Sequence, residues 1–339
     1  MKKLTWIISI ALLWNSCTID KKVKMILDLD TGIDDATALA YALADPQIDL
    51  IGVVASYGNV TVDESVQNTL DILDMLNHKE VPVFRGADRA STAKETYHVT
   101  KMSSFIHGEN GIGNVIMPMS TREMEQKTAT EFILESAEKY GKDLYIVTTG
   151  PVTNLNNAIQ EEPELKKMVG KIVITGGALL VEGNINPYSE ANIFQDPVAA
   201  NMLFTSGTPI TMVGLDITQR TNLTKRDTQA WRNLGTVSGR FFADMVDYYI
   251  DAYPKTRPDL GDCSLHDPLA VAVAVHPNWV KTLPLYLKVG TTENDWGRTI
   301  GDYRKMNHPV PNIEACVDVE VREFADLFKD YLTQLFQKN

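Results

Sequence analysis

The sequence predicts an α/β fold, a mostly parallel central sheet with helices on both faces in a Rossmann-like open arrangement. Three observations carry this reading. Apolar runs of strand length alternate with helical patterns along the chain. Polar, glycine-rich or acidic stretches follow those runs, at the place where open α/β sheets bind ligands. No linker, repeat or low-complexity segment breaks the alternation, so residues 18–339 read as a single domain.

The first unit is KMILDLDTGIDDATALAYAL. A strand is expected over Lys24–Leu29 and a helix over Asp35–Ala44, where Leu39, Ala40 and Leu43 recur at helical spacing. Between them stand Asp28, Asp30, Asp34 and Asp35. Asp34 and Asp35 can cap the helix start and favour its positive dipole end. That role does not reach Asp28 and Asp30. Several carboxylates at one strand end repel each other unless a cation lies between them. Oxygen-only donors suit Ca²⁺ or Mg²⁺ rather than zinc.

Further strands are expected over Leu50–Ala55, Val81–Phe84, Leu144–Thr148, Lys171–Ile174 and Ile210–Val213. Helices are expected over Val62–Asn77, Thr128–Tyr140, Val152–Gln160 and Pro197–Thr205. The second strand is followed by Tyr57-Gly58-Asn59, the Leu144 strand by TGPVTN, the Lys171 strand by GGALLVEGNINPYSEANIFQDP and the Ile210 strand by GLDIT. Near residue 265, SLHDP opens another apolar helix, with Asp267 placed as its N-cap and Pro268 at its first position. Taken singly, Asn59 suits a turn, Asp267 a cap, and His107 and His266 are ordinary structural histidines. Their common position beyond strand ends groups them.

Composition bounds the function. A chain with 44% hydrophobic and 22% charged residues has the balance of a globular protein with a large core. A net charge of -12 leaves no basic surplus to displace counterions, which excludes nucleic acid as the partner. The opening MKKLTWIISIALLWNSC has Lys2 and Lys3, an apolar stretch from Leu4 to Trp14, then Asn15-Ser16-Cys17. Residues 1–17 therefore read as a signal peptide, and a small residue before Cys17 resembles a bacterial lipoprotein signal. A plain secretory signal cut nearby is the alternative. Either way an extracytoplasmic location is expected, in the periplasm or on a lipid anchor, with the anchor as the chain's one contact with membrane. Of the cysteines, Cys263 and Cys316 then remain, and the sequence leaves their pairing open.

Two families compete for the first motif. Haloacid dehalogenase-like phosphatases carry Asp-x-Asp-x-Thr. Here Thr31 comes one place early, Gly32 stands where Thr belongs, and GLDIT offers only Asp216 for a later acidic pair. The chain more closely resembles the inosine–uridine nucleoside hydrolase family, whose fingerprint is Asp-Thr-Asp-Pro-Gly-Ile-Asp-Asp-Ala. Residues 28–36 read DLDTGIDDA, with Leu29 for Thr and Thr31 for Pro. HGENGIGN, TTGPVTNL, EGNINPYSEANIFQDPVAA, VGLDIT and LHDPLAVA match further family segments in the same order.

The resemblance implies hydrolysis of the N-glycosidic bond of ribonucleosides to free base and ribose. It implies one Ca²⁺ held by Asp30, Asp35, Asp267 and the Thr149 carbonyl. Asp30 would also act as general base toward a Ca²⁺-bound water. Asp34, Asn59, Asn184, Glu190 and Asn192 would hold the ribose or groups near it, with His266 and His107 near the base or the sugar. The family also implies a homo-oligomer, dimer or tetramer. Protonation of the leaving base has several candidates: His266, His107, Tyr248, Tyr249 and Tyr253. Thr31 removes the fixed φ that Pro would supply beside Asp30. The alternative in another class is a nucleoside- or sugar-binding lipoprotein without turnover.

Overall fold

The structure of the protein is a computed structural model, which describes residues 22–256, 262–305 and 311–339. The expected signal segment, Cys17 included, lies outside the described residues. The central sheet contains β1 (Val23–Leu29), β2 (Ile48–Ala55), β3 (Val83–Arg85), β4 (Leu144–Thr148), β5 (Lys171–Thr175) and β6 (Ile210–Val213). Across the sheet the order is β3-β2-β1-β4-β5-β6, continued by Ile313–Val319 and then Val280–Leu285. Every neighbouring pair is parallel except the last, where Val280–Leu285 closes the edge antiparallel.

All six expected strands form, with ends shifted by no more than two residues. The two final strands have no clear sequence signal. Val280–Leu285 is an edge strand with a proline, Pro284, and no fully buried residue. Ile313–Val319 interrupts its apolar pattern with Glu314 and Asp318.

Side chains of β1 alternate between two cores. Met25, Leu27 and Leu29 enter one, and Ile26 enters the other. On the first face lie α1 (Ile33–Ala44) and the helix His266–Val275. Buried Ala36, Ala40, Ala270 and Ala274 offer little bulk, which lets these helices approach closely. Their carboxyl ends are tied as well. Tyr41 Oη donates to Asp45 Oδ2 at 2.9 Å, and His276 Nε2 lies 2.8 Å from the same oxygen.

This topology fixes where a ligand can sit. The chain leaves β1 to one side for β2 and returns on its other side as β4. The crevice beyond the carboxyl ends of β1 and β4 is thus the switch point of a doubly wound sheet. Among the described residues no helix is long and apolar enough to cross a membrane. Cys263 and Cys316 are both buried and free.

Candidate active site

The turn after β1 brings Asp28, Asp30, Asp34 and Asp35 to the switch point, all buried. Asp267 joins them from the first turn of the helix His266–Val275. That helix begins two residues earlier than expected. Leu265 is its N-cap and no side chain caps it, so Asp267 is not the cap its sequence position suggested. Asp35 does serve the bland role in part, accepting from Gly32 N at 2.9 Å.

Carboxylate oxygens of Asp34, Asp35 and Asp267 lie within 4.8 Å of one another. Asp34 Oδ1 is buried and has no hydrogen-bond partner. Burial pushes all three carboxyls up, and the neighbouring carboxylates push Asp35 and Asp267 further. A buried set of like charges with an orphaned oxygen fits a hard divalent cation. Asp30 stands beside this group. Its Oδ2 accepts from Asn59 N at 2.7 Å, and its Oδ1 lies 3.3 Å from Asn59 Nδ2. Burial, then Asp35, pushes its carboxyl well up.

Asn59 is more than a turn residue, because its Nδ2 also donates to Asp35 Oδ2 at 3.0 Å. One amide thus bridges two carboxylates. Gly32 makes room for this. A Cβ there would come within 2.6 Å of both Asn59 Nδ2 and His107 Nδ1. A Cβ at Gly58 would overlap the Asp30 carboxylate.

Thr31 holds the turn where the family pattern has proline. Its hydroxyl lies 2.7 Å from Thr69 Oγ1 and 3.1 Å from Ser65 Oγ, both on the helix α2 (Val62–Met75). Asp28 forms a supporting layer. Asn154 Nδ2 donates to it at 2.9 Å, and burial raises its carboxyl to about 7.

Thr149, just past β4, donates its hydroxyl to Asp35 Oδ1 at 2.7 Å. Its carbonyl accepts from Asn192 Nδ2 at 2.6 Å, and the same amide lies 3.2 Å from Thr175 O. With its N–H groups so engaged, Asn192 offers Oδ1 as an acceptor. Glu190 accepts from the backbone N–H of Asn192, Ile193 and Gly177 at 2.9, 3.0 and 3.1 Å. Burial still raises its carboxyl to about 7. Asn184 is exposed, and its Oδ1 accepts from Ala191 N at 2.9 Å.

Both histidines reach the site. His107 Nδ1 accepts from Ile33 N at 3.2 Å, at the start of α1. Burial drives its pKa down to about 4. It is therefore neutral with its proton on Nε2. His266 Nδ1 is 2.7 Å from Thr218 Oγ1, and its Nε2 is 2.7 Å from Tyr253 Oη. Tyr253 Oη lies 3.4 Å from Tyr249 Oη, which donates to Asp34 Oδ2 at 3.3 Å. Tyr248 turns away, to the carbonyls of Ser104 and Phe105. Asp216, the acid of GLDIT, accepts from Leu179 N and Leu180 N and pins the loop after β5.

A cavity of about 930 Å³ opens over this set and is lined by Asp34, Asn59, His107, Asn184, Glu190, Asn192, His266 and Asp267 among others. It also meets Trp296, from a region that carries no sequence motif.

Fold and site place the protein among hydrolases acting on N-glycosyl compounds. More particularly, the chain belongs to the inosine-uridine preferring nucleoside hydrolase family, whose pattern matches residues 25–326. The phosphatase alternative falls with that match. A purine-preferring ribonucleoside hydrolase from Gardnerella vaginalis is 50% identical, with a TM-score of 0.91 over 93% of this chain and 100% of its own. A plant nucleoside hydrolase is 31% identical, with a TM-score of 0.85 over 92% of this chain and 99% of its own. The pyrimidine-specific ribonucleoside hydrolase RihA of Escherichia coli is 32% identical over 91% of this chain and 98% of its own length.

Proposed function

We propose that the protein is a Ca²⁺-dependent ribonucleoside hydrolase that releases free base and ribose, with purine ribosides preferred. The observation that carries the reading is the meeting of Asp30, Asp34, Asp35 and Asp267 beside Glu190 and Asn192 at one sheet crevice. The purine preference rests on the 50% identical relative of that printed preference.

Cleavage of an N-ribosidic bond builds positive charge on the sugar, as in glycoside hydrolysis. Asp35, Asp267 and the Thr149 carbonyl would hold the cation, with Asp30 or Asp34 completing the set. Bound there, Ca²⁺ would supply Lewis acidity toward the attacking water. Asp30, held in place by the Asn59 N–H, would accept a proton from that water. Asn192 Oδ1 and Glu190 accept from sugar hydroxyls and orient the ring. The buried carboxylates also favour the cationic sugar over its neutral ground state. At the leaving base, the His266–Tyr253–Tyr249 chain offers hydrogen-bonded hydroxyls and an imidazole as the proton source.

The binding-only reading draws on Thr31, and Thr31 is anchored to α2 rather than loose. Incubation of the full chain with inosine, adenosine and uridine, with and without a Ca²⁺ chelator, tests the proposal. Ribose release that the chelator abolishes is expected. Binding without release would return the reading to a turnover-deficient protein. We also propose the extracytoplasmic, lipid-anchored address. Cys17→Ser should move the protein from the membrane fraction to the soluble one, and unchanged membrane association would refute the anchor.

A further inference from the structure

We propose that Trp296 is a wall of the sugar end of the nucleoside site, a substrate-binding residue outside every motif of the sequence. The inference rests on the nucleoside hydrolase function proposed above. Trp296 lies on a two-stranded hairpin, Leu287–Val289 paired with Thr299–Gly301. It is partly buried and lines the same cavity as Asp34, Glu190 and Asn192.

Its indole is not free to swing. Nε1 donates to Phe194 O at 3.1 Å, and the Trp296 carbonyl accepts from Ser189 Oγ at 2.7 Å. Tyr188 Oη donates to Asn294 O at 3.2 Å. Gly297 takes φ +77°, and a Cβ there would come within 2.8 Å of Phe194 Cα. The hairpin is thus seated directly on residues 188–194, the stretch that presents Glu190 and Asn192.

Phe194 also lines the cavity. Trp296, which braces the sugar-gripping segment, thus lines the cavity that segment serves. A ribose ring is polar at its hydroxyls and apolar on its C–H faces. Glu190 and Asn192 meet the first need, and a fixed indole meets the second. Two χ angles locked by a hydrogen bond make the contact cheap in entropy.

A sugar wall is blind to the base, because every substrate carries the same ribose. That separates it from a base-stacking ring. Trp296→Ala and Trp296→Phe are compared with the parent on inosine and on uridine. Trp296→Ala should raise KM by ~10-fold, equally for both, with kcat within ~2-fold, the size of one lost aromatic contact. Trp296→Phe keeps a ring but loses the Nε1 bond, and should raise KM by ~2–3-fold.

Free ribose gives a readout without turnover. It should change the tryptophan emission of the parent and leave that of Trp296→Phe nearly unchanged. Unchanged KM for both substrates, or a loss confined to one base, would overturn the proposal. So would equal falls in kcat and melting temperature with no change in KM, which would mark Trp296 as a brace alone. A parent that binds ribose yet releases none from nucleosides would defeat the hydrolase reading, while the emission test would still decide on Trp296.

Discussion

The two ends of the cavity are built on opposite principles. At the acid end, Asp28, Asp30, Asp35 and Asp267 are almost wholly buried, and burial raises every one of their carboxyls. Their positions come from β1 and from two helix starts packed against the core. At the sugar end the groups are a glutamate saturated by backbone N–H donors and two amides, on a segment braced from outside by a hairpin. The first end crowds like charges that a cation and a proton transfer would relieve. At the second, burial raises Glu190 as well, but three backbone N–H donors hold it and the segment supplies geometry. Substitutions at the acid end should therefore strike kcat and cation binding, and those at the sugar end should strike recognition.

The largest loss is expected at Asp30. Asp30→Asn should keep the fold and lower kcat by ~10²–10⁴-fold, the usual reach of general-base action. Steady-state kinetics on inosine at saturating Ca²⁺ check this, and near-parental kcat would contradict the role.

Asn192→Ala probes the opposite end. The amide gives its N–H groups to Thr149 O and Thr175 O and keeps one acceptor for the sugar. Its loss should weaken kcat/KM for ribosides ~3–10-fold more than for 2′-deoxyribosides, the worth of one neutral hydrogen bond. An equal loss for both would mean that the residue only shapes the pocket.

A smaller effect lies in the pH dependence of stability. Burial raises the Glu190 carboxyl from 4.5 to about 7. Between those values the folded chain keeps a proton that the unfolded chain has released. Stability due to this group therefore falls as pH rises from 4.5 to about 7, and it stays low above. Glu190→Gln carries no charge at any pH and removes that slope. Urea unfolding at pH ~5 and pH ~8, on either side of the titration, should show the parent losing more stability than the variant between the two. Parallel losses would count against a buried, proton-holding Glu190.

The same contrast explains what is legible in the sequence. Carboxylates crowded at a strand end are chemically expensive, so DLDTGIDDA stands out from its residues alone. The strands β1 to β6 are legible for a similar reason, since residues buried on both faces leave continuous apolar runs. Pairing of Asp267 with Asp34 and Asp35 is not a local property. Only the packing of two helices brings those turns together, and the local pattern favours a capping role that the helix start at His266 does not support. Thr31 is legible as a departure from the family pattern, but its compensation on α2 is not, because Ser65 and Thr69 are ordinary helix residues there. Trp296 leaves no trace at all. Its hairpin has three-residue strands and no repeating pattern, and its place depends on contacts with residues 188–194.

Everything assigned to the acid end depends on its being a cation site completed by Asp267. The decisive experiment is calcium binding to the parent and to Asp267→Asn, by titration calorimetry on folded protein at pH ~8. Asn keeps a neutral oxygen at the position but removes the charge. Ca²⁺ affinity should be weaker by ~10-fold or more in the variant, with ribose release lost at low Ca²⁺ and partly restored at high Ca²⁺. Parental Ca²⁺ affinity in Asp267→Asn would contradict the assignment.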